Sequence, residues 1–206
     1  MGVISNGTTL LDAGALDSGV AKGTMTLIKT LTASSSGTLD FVDGSSSVVL
    51  DNTYKEYIFT FTNIHPGTDQ KAFQVNFSAD GGSNYNVTKT TTHFRAQHLE
   101  GGHSQVFEYV TGDDLAQATS AQNVSNLCGN DNDQCVSGYM HLFDPSSTTF
   151  VKHFYSVVNS TFTESEASAN LYTAGYCNTT SAVDGVRFQM NTGNIDSGTI
   201  KLYGVT

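Results

Sequence analysis

The sequence predicts an all-β protein, a jelly-roll-like antiparallel β-sandwich behind an extended N-terminal arm. Three observations carry that reading. Apolar and polar residues alternate with a period of two over many short runs, as half-buried strands require. Twenty glycines punctuate the runs and nine Tyr and twelve Phe supply ring-bearing positions, while the long Ala, Leu, Glu and Lys stretches that favour helix are missing. The strands are fairly long and their connections uneven, which among double-sheet folds favours the jelly roll. At 206 residues the chain suits one such domain plus a short appendage.

The appendage comes first, as residues 1–23. Its stretch "NGTTLLDAGALDSG" sets Leu10, Leu11 and Leu16 among Gly, Asp, Ser and Thr, too short and glycine-rich to fold alone. It reads either as a loosely packed first strand or as an arm lying on a neighbouring subunit, with the three leucines as anchors.

The β-domain spans residues 24–206. "TMTLIKTLT" places Met25, Leu27 and Leu31 on one side, and "GTLDFVDG" adds Leu39 and Phe41 before a turn over residues 44–47. In "YKEYIFTFTNI", Tyr57, Phe59 and Phe61 point one way and Thr60 and Thr62 the other, until "HPGTDQ" ends the strand. "AFQVNFSADGGSNYNVT" puts Phe73, Val75 and Phe77 inward and Gln74, Asn76 and Ser78 outward. Gly81 and Gly82 then make a hairpin turn, since glycine accepts positive φ. "NVTKTTTHFRA" is a further strand.

The pattern dissolves across residues 97–134, an irregular excursion that reads as a functional loop or a covering flap, with room for one helical turn between Leu115 and Val124. Regularity returns in "CVSGYMHLFDPSSTTFVKHFYSVV", two strands joined at "DPSST" with Met140 and Leu142 across from Phe150 and Phe154. The chain closes on a hairpin, "DGVRFQMNTGNIDSGTIKLYGVT". Val186, Phe188 and Met190 share one face and Arg187 and Gln189 the other; Ile200 and Leu202 oppose Thr199, Lys201 and Tyr203. A last strand built into the sheet leaves attachment to the N-terminal arm.

Composition excludes some partners. Nine Lys and Arg against 19 Asp and Glu give a formal charge of −10, and the nine cations are scattered, so nucleic acid held by its phosphates is not expected. The acidity reads as serving solubility and avoidance of self-association, ahead of a calcium or cationic-ligand role. No run reaches the roughly 18 apolar residues of a membrane span, so no membrane insertion is expected, and the N-terminus lacks the basic opening and apolar core of a secretory signal. The sequons, Asn76 among them, then follow from an Asn-, Ser- and Thr-rich chain. Cys128, Cys135 and Cys177 lack metal-site spacing, and a Cys128–Cys135 bridge is geometrically conceivable.

Candidate sites are few. His93, His98 and His103 recur evenly, but strand alternation puts His93 and His98 on opposite faces, so they read as solvent or loop-edge histidines and not as a metal set. "EGGH", with Glu100 and His103, and "TGDD", with Asp113 and Asp114, offer an acid and base pair or a contact loop. "GNDNDQ", with Asp131 and Asp133, has oxygen ligands at alternate positions but lacks the glycine and distal glutamate of a helical calcium loop. No nucleophile elbow, phosphate loop or dinucleotide fingerprint is present, and no catalytic residue, metal or cofactor is expected. Tyr85, Tyr155, Tyr172 and Tyr203 offer rings for stacking on sugars, although alternating aromatics more often build a core.

Three stretches, "FVDGSSSVVLDNTYKEYIFTFTNI", "SGYMHLFDPSSTTFVKHF" and "VDGVRFQMNTGNIDSGTIKLYGV", resemble the jelly-roll domains of virion proteins from tailed bacteriophages, especially phages of marine bacteria. The resemblance covers residues 24–206 and is most distinctive in the closing "GTIKLYGV". It implies a non-enzymatic structural component on the outside of the particle, as capsid decoration or tail appendage, made in the host cytoplasm. It also implies contact with other virion proteins and a homo-oligomer, commonly a trimer. A host-surface glycan-binding module of a tail fibre is the alternative.

Overall fold

The computed structural model describes residues 3–5, 8–12, 15–16, 24–102, 104–163 and 166–206, and among them every regular element is a strand. In the N-terminal segment β1 (Val3–Ser5), β2 (Thr8–Asp12) and β3 (Ala15–Leu16) pair with one another as an antiparallel meander. The segment read as an extended arm thus contains a small sheet of its own, with Leu10 and Leu11 in β2 and Leu16 opposite Leu11.

The remaining strands are β4 (Met25–Thr32), β5 (Thr38–Val42), β6 (Glu56–Pro66), β7 (Phe73–Ser78), β8 (Lys89–Leu99), β9 (Gln105–Tyr109), β10 (Gln122–Asn123), β11 (Val136–Phe143), β12 (Lys152–Phe162), β13 (Ala167–Cys177), β14 (Gly185–Met190) and β15 (Ile195–Val205). They form two antiparallel sheets. The four-stranded sheet runs β10-β7-β14-β5 and the eight-stranded sheet β4-β15-β6-β11-β12-β13-β8-β9.

This order is jelly-roll-like. A jelly roll deals its strands in turn into two sheets, one holding the first, eighth, third and sixth and the other the second, seventh, fourth and fifth. β5, β14, β7 and β10 stand in those places in the smaller sheet. In the larger one β6, β8 and β9 do, and the seventh place is filled by the meander β11, β12, β13. β15 and β4 extend the sheet beyond β6.

The inner faces close on a ring-rich core. Phe188 on β14 sits at its centre, edge-on to Phe59 (5.3 Å), Phe61 (5.2 Å) and Phe41 (6.2 Å) and stacked on Phe73 (5.7 Å). Phe77 meets Phe154 across the sandwich at 5.0 Å. These rings come from alternate strand positions, so the period-two pattern and the core are the same fact.

Several expectations change. The closing strands do not form a hairpin: β14 lies in the smaller sheet, and β15 lies in the larger one between β4 and β6. Met25 and Leu27 face outward, with Leu27 52 % exposed. A bulge beside Ile28, where Leu202 pairs with Lys29 but Tyr203 with Leu27, reverses the alternation, so only Leu31 of the three reaches the core. Gly81 and Gly82 have φ of 70° and 77°, as expected of a turn, but the strand that follows, β8, belongs to the other sheet. Leu142 faces Phe154 and Met140 faces Ser156, while Phe150 stands exposed outside the strand.

The excursion over residues 97–134 is partly regular. It contains the end of β8, all of β9 and the short β10, which extends the smaller sheet beside β7; no helical turn forms between Leu115 and Val124. Its middle covers the inner face of β8 and β13, as a flap would. Gln122 is buried there, accepting from Thr91 Oγ1 at 2.5 Å and donating to the Asp113 carbonyl at 2.7 Å.

Candidate functional site

The carboxylates singled out in the sequence fall into two separate places. Glu100, Asp131 and Asp133 line one polar pocket of about 350 Å³ together with Glu166, Gln134 and Thr161. No group of three or more His, Cys, Asp or Glu is arranged to hold a metal ion among the described residues. Asp113 and Asp114 stand elsewhere and do not meet Glu100. Asp113 accepts from Asn123 Nδ2 at 2.6 Å and from Asn126 Nδ2, and Asp114 accepts the Tyr109 hydroxyl proton at 2.6 Å. His103 lies outside the described residues.

His93 is fully buried and not at a loop edge. Its Nδ1 is 2.8 Å from Thr173 Oγ1, and its Nε2 lies 3.9 Å from the Asp113 carboxylate. Burial lowers its pKa and holds the ring neutral, although Asp113 works the other way. This is an internal network that seats the flap on the sheet, closed to any substrate. The three cysteines are free, and burial pushes the Cys128 and Cys177 thiols up to about 12.

The outer face of the eight-stranded sheet is the most distinctive surface. Cross-strand register lines up Tyr139, Val157, Tyr172, Phe94 and Tyr109 in one row, and Ile58, His141, Tyr155, Ala174 and Thr92 in the next. A third row holds His153, Tyr176 and Thr90. Neighbouring rings support one another: His141 stacks on Tyr155 at 4.6 Å and 10°, and Phe94 on Tyr172 at 4.7 Å and 5°. Glu56 holds the His141 imidazole from β6. Such pairs fix ring positions before anything binds.

Ala174 interrupts the rings. Between Tyr155 and Tyr176 its short side chain leaves a groove of about 350 Å³, walled by Phe143, His153, Tyr155 and Tyr176 and edged by Thr90 and Thr92. Rings, an imidazole and hydroxyls line it, and among the described residues no carboxylate or ammonium does. At the ends of the sheet, β4 exposes Met25 and Leu27 and β9 exposes Phe107 (78 %) and Tyr109.

Of the four tyrosines named from the sequence, Tyr155, Tyr172 and Tyr203 lie on this face. Tyr85 does not. Its ring lies 3.9 Å beneath the Arg187 guanidinium, which is bidentate to Asp40 (2.9 and 2.6 Å), and burial pushes its phenol up to about 12. The alternation rule missed the surface because "YMHLF" is apolar on both faces: Met140 and Leu142 turn in, while Tyr139, His141 and Phe143 turn out. That near-continuous apolar run was the available signal.

A second feature lies inside. Lys152, Cys177 and Lys89 form one inward row across β12, β13 and β8, all three fully buried. Lys152 Nζ donates to the carbonyls of Phe150 (3.0 Å) and Thr179 (3.1 Å). Lys89 Nζ donates to Asn76 Oδ1 (2.7 Å) and to the Val87 carbonyl (2.8 Å), and burial lowers its pKa to about 8. Asn76 and Ser78, expected to point outward, are buried as well. Ser78 is held by the turn after β7, its Oγ donating to Asp80 Oδ1 at 2.8 Å, and Asn76 Nδ2 donates to Tyr85 O (2.6 Å) and to Thr119 O of the flap (3.3 Å).

Comparison with known proteins yields no matching family model, no matching curated protein and no matching solved structure.

Proposed function

We propose that this chain is a non-enzymatic structural component of a tailed-phage virion, self-associating on the outside of the particle. The observation that carries the reading is the outer face of the larger sheet, where three rows of aromatic side chains run between two end strands with exposed apolar residues. Contiguous apolar surface of this kind marks a contact face, and end strands of a sheet offer lateral pairing. The jelly-roll order and the resemblance of the "GTIKLYGV" ending support the placement in a virion.

The purified chain is expected to sediment as an oligomer at micromolar concentration, and Tyr139→Lys is expected to shift it toward monomer. A native chain that runs as a monomer would sink the proposal. Residues 1–23, with Leu10, Leu11 and Leu16, are the proposed anchor, so their deletion should leave the oligomer but abolish incorporation into particles.

The groove favours a second reading, recognition of a host-surface glycan. Its ring walls suit the C–H faces of a sugar, and its hydroxyl rim suits the sugar's own hydroxyls. Glycan-array or whole-cell binding that disappears in Tyr155→Ala and Tyr176→Ala is expected on this reading. Blank arrays and no cell binding leave the structural role alone.

A further inference from the structure

We propose that Lys89 and Asn76 join in an intramolecular isopeptide bond, made by the folded chain itself, that ties the two sheets together covalently. Asn76 lies on β7 of the smaller sheet and Lys89 opens β8 of the larger one. The Lys89 side chain is fully buried and Asn76 is 7 % exposed, so water is kept from both.

The geometry is that of a nucleophile beside its carbonyl. Nζ lies 2.7 Å from Oδ1. With a C=O bond of about 1.23 Å and any acceptor angle from 90° upward, Nζ is about 3.0 to 3.9 Å from Cγ. That span includes the separation of about 3 to 3.5 Å at which reacting atoms are poised for attack.

The amide is also oriented and polarised. Oδ1 also accepts the Phe77 backbone N–H at 3.0 Å, a donor that stays on the oxygen as negative charge grows there while Nζ moves from Oδ1 to Cγ. Nδ2 is held by the Tyr85 and Thr119 carbonyls, which fixes the amide's orientation. The nucleophile is available: an amine with a pKa of about 8 is roughly one-tenth neutral at neutral pH. The titratable group facing it is the Cys177 thiol, with Lys152 beyond in the same row, and among the described residues no carboxylate hydrogen-bonds to either reacting side chain.

The step balances without a co-reactant. The Nζ lone pair attacks Cγ, a proton passes from Nζ to Nδ2 in the tetrahedral adduct, the Cγ–Nδ2 bond breaks, and ammonia leaves. A secondary amide remains between two strands that belong to different sheets. With no carboxylic acid to carry the proton, the reaction is slow and quickens as pH rises through 8 and the amine becomes neutral. Asn76 also opens a sequon, and its burial directs its chemistry inward.

Intact-mass spectrometry of the full chain, before and after incubation folded at about pH 9, tests this. A loss of one ammonia, about 17 Da, is expected. It should come with a branched tryptic peptide joining residues 76 and 89 and no cleavage after Lys89. Lys89→Met should keep full mass, and Asn76→Asp should lose water instead and give the same linked product. An unchanged native mass overturns the proposal. So does the same loss with Lys89 still cleaved, the signature of a cyclic imide at Asn76.

Discussion

Replacing Phe188 by Ala is expected to destabilise the protein by about 3 to 5 kcal/mol, the range for removing a buried ring. Four rings from three other strands, Phe41, Phe59, Phe61 and Phe73, close on it from both sheets. They are themselves fixed by strand register, so the space cannot collapse, and the cavity contribution should be near its upper end. Against a total stability of about 5 to 15 kcal/mol, that is a large share. For a chain of this size it corresponds to a drop of roughly 10 °C or more in melting temperature. Phe107→Ala is the matched control, since its ring is 78 % exposed and should change stability by less than about 0.5 kcal/mol. Equal melting temperatures for the two variants would mean that Phe188 is not the centre of the core.

The same residues show what was legible before the fold was known. The core positions of β5, β6, β7 and β14 follow from alternation alone, and Leu39, Phe41, Tyr57, Phe59, Phe61, Phe73, Val75, Phe77, Val186, Phe188 and Met190 are all buried. Alternation is blind to which sheet a strand joins. The glycine and asparagine turn after Met190 is equally compatible with a hairpin and with a crossing to the opposite sheet. It fails again at Ile28, where one inserted residue inverts Met25 and Leu27. The site was less legible than the core. Glu100, Asp131 and Asp133 do converge, yet Glu166 joins them only through the pairing of β8 with β13. The outward aromatic rows arise from register across five strands. Nothing in the sequence singled Lys89 out from the nine scattered cations, because its burial depends on a flap about thirty residues downstream.

Alkaline unfolding is the second large effect expected. Burial raises the pKa of Cys128 and of Cys177 from 9.0 to about 12 in the folded chain. Between those values the native state binds protons that the unfolded state has released. Stability is therefore complete below pH 9 and falls as pH rises toward 12. At about 1.4 kcal/mol per unit, each thiol removes roughly 4 kcal/mol across that window, and the two together approach the whole stability of an ordinary domain. Tyr85, raised from 10.0 to about 12, acts in the same direction. A free Lys89 amine acts in the opposite one. Lowered from 10.5 to about 8, it binds fewer protons in the native state than in the unfolded state, so stability rises with pH between those values. An unlinked chain should thus hold or gain stability from pH 8 to 9 and lose it steeply above 10. A chain with Lys89 in an amide lacks the rise and shows only the loss. Urea midpoints measured in steps from pH 8 to 11.5 read both slopes. The variant Cys128→Ala with Cys177→Ala should flatten the alkaline limb while lowering the whole curve slightly through the lost packing. If its slope above pH 9 matches that of the native chain, the buried thiols are not what limits the fold at high pH.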